Sequence, residues 1–228
     1  MRVVLLRHTP EPEVTIAAAA RISTSPLPTR RLMEKESQEE AAKLIDRLIN
    51  AGHMSPLEHS SFTLSLEGIS RVTSHQLVRH RLASFTQRSQ RYVRMSEPKF
   101  VTPPTLAATP GLRARFEKGV RAAFDLYIEL VEAGVAEEDA RYLLPSAMET
   151  EVVMTMNARE LITASGLRLC PRAQWEIISL FEGIKAEVTR VAPTIGKHLR
   201  PKCYKLGYCD EFKSCGLFPT FKETTRAR

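Results

Sequence analysis

Phe62, Leu64 and Leu66 alternate with Thr63, Ser65 and Glu67, and a period of two predicts a strand with one face buried. Arg2 to Arg7, carrying Val3, Val4 and Leu5, reads as an opening strand, and Val152 to Met156 as another. Elsewhere the period lengthens. An Ala-rich helix is expected over Val14 to Ile22. Ser37 with Glu40 forms a capping box, after which Ala41, Leu44, Ile45 and Leu48 recur at helical spacing until Gly52 supplies a stop. Gln76 to Arg81 also looks helical. Phe116, Val120, Phe124, Tyr127, Ile128 and Val131 share one face of a long helix ending near Gly134, and Glu137 to Leu143 forms a short one. Asn157 with Glu160 repeats the cap signature and opens a helix that Gly166 should close. Pro171 suits a first helical position, with Trp175, Ile178, Phe181, Ile184, Val188 and Val191 as the next apolar stripe. Pro98, Pro103, Pro104 and Pro110 make the segment from Glu97 to Gly111 irregular.

Strands and helices do not alternate regularly, so the fold class is α+β, with several helices around a small, mostly antiparallel sheet, rather than a doubly wound one. At 228 residues without an internal repeat, one compact domain is the simpler expectation. The apolar runs Val3 to Leu6 and Ile16 to Ala20 fall well short of the ~20 residues of a membrane helix. The N-terminus lacks a signal-peptide core and cleavage pattern. No membrane association and a cytoplasmic location are therefore expected.

The net charge of +7 points to an anionic partner. Its distribution is uneven: from Gly68 to Ser96 there is no Asp, Glu or Lys, while Arg71, Arg79, Arg81, Arg88, Arg91 and Arg94 all fall there. Guanidinium forks suit fixed recognition of a phosphate or a planar ring, so an arginine-only run favours a shaped pocket. The sequence has no GxGxxG, GxxxxGK[ST], HExxH or GxSxG. Its most unusual stretch is Arg79-His80-Arg81, then seven residues, then Ser89. By composition alone this could equally be a solvated basic helix and loop.

The stretch resembles the signature of the flavin-dependent thymidylate synthases, RHR followed by seven residues and Ser. The segment Gly52 to His59, GHMSPLEH, is similar to that family's GHxSPxEH, Met156 to Leu161 to its NARxL region, and Leu167-Arg168 with Ala173 to Glu176 to its LR and AQWE pair. This resemblance implies a single domain over residues 1–228, with 192–228 as a cysteine-containing C-terminal extension. It implies a homotetramer, with FAD and dUMP in sites shared between subunits, that methylates dUMP to dTMP using methylenetetrahydrofolate and NADPH. Carried over, Ser55, Arg79, His80, Arg81, Gln87, Asn157, Ala158, Arg159 and Thr163 fall at flavin-contacting positions. Gln76, Arg79, Gln87, Arg88, Ser89, Gln90, Arg91, Arg141 and Arg168 fall at dUMP-contacting positions, with Arg168 the candidate catalytic residue at the uracil. Because arginine is no general base at neutral pH, these residues would position ligands and stabilise charge.

Two other readings compete. A basic nucleic-acid-binding module would need exposed stacking aromatics, but the arginine run holds only Phe85 and Tyr92. A flavin reductase without methyl transfer is the second. The spacing of His53, His59, His75 and His80 suits no helical metal pair. At Cys170, Cys203, Cys209 and Cys215 a structural zinc stays open beside free or buried thiols, and none of these lies in the RHR segment as a nucleophile would.

Overall fold

A computed structural model of the chain describes residues 1–226; residues 227–228 of the expected extension lie outside the described residues. The strands are β1 (Arg2–His8), β2 (Ser61–Ser70), β3 (Ala83–Gln87) and β4 (Glu149–Asn157). In chain order the helices are α1 (Pro12–Arg21), α2 (Thr29–Lys35), α3 (Gln38–Ala51), α4 (Arg71–Leu77), α5 (Pro104–Ala107), α6 (Pro110–Glu132), α7 (Glu137–Ala140), α8 (Ala158–Arg168), α9 (Trp175–Val191), α10 (Pro193–His198), α11 (Cys203–Leu206) and α12 (Phe221–Arg226). Short 3₁₀ turns cover Ser55–His59 and Arg141–Leu143. The class is α+β, as expected, with one four-stranded antiparallel sheet in the order β1-β2-β4-β3. β2 and β4 take the central places because each carries an unbroken apolar face, with Phe62, Leu64, Leu66, Val152, Met154 and Met156 all buried.

By internal contacts the chain divides into two compact units. The first comprises residues 1–2, 66–79 and 85–153. Its core is the face of α6 bearing Val120, Phe124 and Tyr127, joined by Ala140 and Met148. The Tyr127 hydroxyl accepts the Met95 N–H at 3.3 Å and anchors the loop before α5.

The second unit comprises residues 3–65, 80–84 and 154–228. In it α1 packs on α3, and α8 and α10 pack on α9. A buried carboxylate ties the N-terminus of α10 to α1: Glu13 accepts the backbone N–H groups of Thr194 at 2.6 Å and Ile195 at 3.1 Å, and the Thr194 hydroxyl at 2.9 Å. An acidic side chain at a helix N-terminus satisfies donors that would otherwise be orphaned and complements the dipole.

The capping signals operate as expected at two helices. The Ser37 hydroxyl accepts the Glu40 N–H at 3.2 Å, and α3 ends with Gly52 at φ 82°. The Asn157 side chain accepts the Glu160 N–H at 2.9 Å and opens α8.

Five local expectations are corrected. The helix expected at Gln76 to Arg81 begins earlier, at Arg71, because the Ser70 hydroxyl caps it by accepting the Thr73 N–H at 3.1 Å; His80 and Arg81 lie beyond its end. Gly166 does not close α8, which runs to Arg168. A Cβ there would stand 3.4 Å from Cβ of Lys202, so the glycine serves close packing instead. Pro171 is not helical, because the Gln174 side chain caps α9 from the N–H groups of Glu176 and Ile177. The buried face of α9 is Ile177, Leu180, Phe181, Ile184 and Val188, one step round from the expected stripe, and it leaves Trp175 exposed. The irregular segment also holds α5, and Pro110 opens α6. Among the described residues no helix is long and apolar enough to cross a membrane.

Candidate active site

The arginine-rich segment splits between the units. In the first, β3 ends at Gln87, whose amide nitrogen donates to the Ser74 hydroxyl at 2.9 Å and the Thr150 hydroxyl at 3.2 Å. That fixes the chain where it delivers Arg88, Ser89 and Gln90 to the wall of a cavity of about 430 Å³. Arg71 lines the same cavity and donates to the Arg88 carbonyl at 3.2 Å. Arg88 is ion-paired with Glu151 and Arg91 with Glu138. Arg141 donates from Nε to the Glu138 carbonyl at 3.0 Å. Thus Gln87, Arg88, Ser89, Gln90, Arg91 and Arg141 belong to one unit, as do the half-buried Gln76 on α4 and the exposed Arg79.

Arg71 entered the sequence reading only as one arginine of the run. Its Nε is buried without a hydrogen-bond partner, and burial together with the nearby Arg141 charge lowers its pKa. Two guanidinium groups that repel each other form a site an anion relieves. The signal in the sequence was its place one residue past the helix cap Ser70, which aims it from the first turn of α4.

In the second unit stand Ser55, His80, Arg81, Asn157, Ala158, Arg159, Thr163 and Arg168. Ser55 begins a 3₁₀ turn and is exposed, as is Arg81; Ala158 is buried in the first turn of α8. Arg159 pairs with Glu58, and the Thr163 hydroxyl donates to the Arg159 carbonyl at 3.0 Å. Arg159 and Thr163 line a second cavity of about 420 Å³, together with the apolar Met54, Ile162 and Leu167 and the cationic Arg200 and Lys205. A lining of this mixture suits a flat apolar ring that carries anionic groups.

His80 is only 6% exposed. Burial first, and then the Arg168 charge, lower its pKa to about 4, so the ring is neutral at physiological pH. Arg168, in the last turn of α8, donates from Nε to His80 Nε2 at 2.9 Å. On the other side of the ring, Glu160 Oε1 stands 3.3 Å from Nδ1. Burial lowers the Arg168 pKa and raises that of Glu160.

Cys170, Cys203, Cys209 and Cys215 line one small pocket of this unit as free thiols, and burial raises the Cys203 thiol. Among the described residues no three His, Cys, Asp or Glu side chains are grouped so as to hold a metal ion.

The thymidylate synthase complementing protein family matches residues 4–194. A flavin-dependent thymidylate synthase from Geobacter sulfurreducens is 47% identical over 99% of this chain and 98% of its own length. Those from Pyrococcus furiosus and Clostridium tetani are 41% and 38% identical over 92% and 98% of this chain, and 90% and 96% of their own. Among solved structures, a UMP/dUMP methylase, PolB, from Streptomyces cacaoi bound with 5-Br dUMP superposes with a TM-score of 0.77 over 86% of this chain and 93% of that one; at 24% identity it shows the shared fold alone. On the family match and these near full-length identities, the chain belongs to the flavin-dependent thymidylate synthases.

Proposed function

We propose that this protein is an enzyme that methylates dUMP to dTMP with a flavin cofactor. The observation that carries this reading is the near end-to-end relationship to enzymes of that name, on a chain whose arginine-rich segment lines a built cavity. FAD is the flavin in this reading, and when bound it supplies hydride transfer with NADPH as the reductant and methylenetetrahydrofolate as the carbon donor. Ser55, Arg79, His80, Arg81, Gln87, Asn157, Ala158, Arg159 and Thr163 would hold it.

The chain's own residues bind and orient. A phosphate monoester carries close to two negative charges, and Arg88, Arg91 and Arg141 with the Ser89 hydroxyl offer it charge-assisted hydrogen bonds, each about twice as strong as a neutral one. Gln76, Arg79, Gln87 and Gln90 complete the dUMP contacts, with Arg71 as an added cation at the phosphate. Arg168 faces the uracil, where negative charge develops on N3 and the carbonyl oxygens as the ring is activated. A fixed guanidinium stabilises that charge more than the neutral ground state.

The same reading makes residues 1–228 one catalytic domain with 192–228 as its extension, assembled as a cytoplasmic homotetramer with sites shared between subunits. The four cysteines that line one pocket are free thiols not grouped to hold a metal ion, so the reading needs no structural zinc.

The test is purified protein incubated with dUMP, methylenetetrahydrofolate and NADPH. Yellow protein that releases FAD on denaturation and forms dTMP is the expected result. Flavin oxidation without dTMP would identify a reductase, and colourless protein binding long nucleic acid in a salt-sensitive manner a nucleic-acid module. Light scattering that gives a monomer mass at micromolar concentration would remove the shared-site assembly.

A further inference from the structure

The first turn of α8 holds a buried carboxylate that helix capping does not use. Glu160 meets the capping requirement with its backbone N–H, which donates to Asn157, while its side chain, 8% exposed, lies against the His80 ring. Arg168 leaves the other end of the same helix. Helical side chains lean toward the N-terminus, and Arg168 reaches back to the opposite ring nitrogen. Eight residues of helix rise about 12 Å, and the imidazole fills that gap between the two charges.

The hydrogen bonding sets the tautomer. Arginine only donates, so Nε2 must be the unprotonated acceptor, and the ring proton therefore sits on Nδ1, the nitrogen 3.3 Å from Glu160 Oε1. Phe181, fully buried on α9, stands with its ring centroid 6.1 Å from that of His80 and limits the ring's freedom. We propose that Glu160 is a positioning residue that, through the His80 ring, holds the Arg168 guanidinium in the orientation the pyrimidine requires. The proposal rests on the reading of Arg168 as the residue at the uracil. Without the carboxylate the ring can turn or take the other tautomer. Nε2 would then carry a proton and face Arg168 Nε as a donor, removing the acceptor that the ring offers. The low pKa of His80 agrees, since a charged ring could not accept from arginine.

The experiment compares Glu160→Ala, Glu160→Gln, Arg168→Ala and the Glu160→Ala/Arg168→Ala double variant, each assayed for bound FAD, dTMP turnover and dUMP affinity. Misplacing a catalytic group by about 1 Å costs on the order of 10²-fold. Glu160→Ala should accordingly lower kcat by about 10- to 100-fold with its FAD kept, and Glu160→Gln, whose amide oxygen can still accept from Nδ1–H, should recover most of it. In the Arg168→Ala background the Glu160→Ala change should add nothing to the loss of dUMP affinity, because residues acting as one unit are not additive. Turnover by Glu160→Ala within twofold of wild type, beside a crippled Arg168→Ala, would overturn the proposal while leaving the site reading intact, and so would an undiminished effect of Glu160→Ala in the double variant. Near-normal dTMP formation by Arg168→Ala would overturn the site reading and the proposal together. If neither Glu160 variant folds, the ¹⁵N spectrum of histidine-labelled wild type decides: unprotonated Nε2 at His80 supports the arrangement, and protonated Nε2 ends it.

Discussion

Two groups of arginines in this molecule are held in opposite ways. In the first unit Arg88, Arg91 and Arg94 keep 59%, 52% and 46% of their side-chain surface exposed and pair with Glu151, Glu138 and Glu132. Exposed pairs of this kind contribute only about 0–1 kcal/mol, so a doubly charged phosphate can take their place at little cost. In the second unit Arg168 is half-buried and has a neutral ring as its acceptor. Its direction is thereby set before any ligand arrives. A handle for an anionic tail must be exchangeable, whereas a group that answers charge developing in a ring must be fixed.

The comparison breaks most decisively at Arg168. Arg168→Ala is expected to lose about 10²- to 10³-fold in dTMP turnover while keeping FAD, and Arg168→Lys should recover little, since a point charge cannot replace a planar fork. Near-normal turnover with either would erase the distinction between the groups. The next effect is smaller. Arg88→Ala should weaken dUMP binding by about 10-fold, the scale of one charge-assisted hydrogen bond. Raising the salt should shrink that factor, because exposed charges are screened and buried ones much less so. A salt-independent factor would mean that Arg88 is shielded when dUMP binds.

Acid offers a further way to sharpen it. The His80 pKa is depressed from 6.5 to about 4, so the unfolded chain takes up a proton in a range where the folded ring stays neutral. Its contribution to stability is complete above pH 6.5 and is lost as the pH falls toward about 4. Denaturant unfolding at pH 7.5 and pH 5 should show wild type losing more stability than His80→Gln; equal losses would mean that the buried ring is not a neutral acceptor. The smallest expected effect concerns the thiols. The four cysteines are not grouped to hold a metal, so chelation should leave protease sensitivity after Cys203 and the bound flavin unchanged. Stoichiometric zinc in elemental analysis of unchelated protein would mean that the four thiols close on a metal.

Much of the fold was legible where one local rule acts alone. Ser37, Glu40 and Gly52 mark both ends of α3 because capping is local chemistry, and the alternation around Phe62 marks a central strand because Phe62, Leu64 and Leu66 are all buried. β3 was not legible: Ala83, Phe85 and Gln87 are only half-buried and Ser84 and Thr86 exposed, as suits a short edge strand. α9 starts at Trp175 rather than at Pro171 because Gln174, not a proline, makes its cap. At the site, the arginine run and the RHR segment stood out by composition. Glu160 did not, because a glutamate three residues after a capping asparagine already has an ordinary explanation. Its second partner lies 80 residues away and shows only once the chain is folded.

The contact between Gly166 and Lys202 bears on how far the chain could be shortened. The Lys202 N–H donates to the Gly166 carbonyl at 3.0 Å, two residues before Arg168, and the side chain of Lys202 bridges onward to Asp210 and Glu211. The stretch after residue 194, where the family match ends, thus acts as a splint on the last turn of α8. A protein engineer trimming the gene to residues 4–194 would remove that splint, and Arg168 would hang from a fraying helix end.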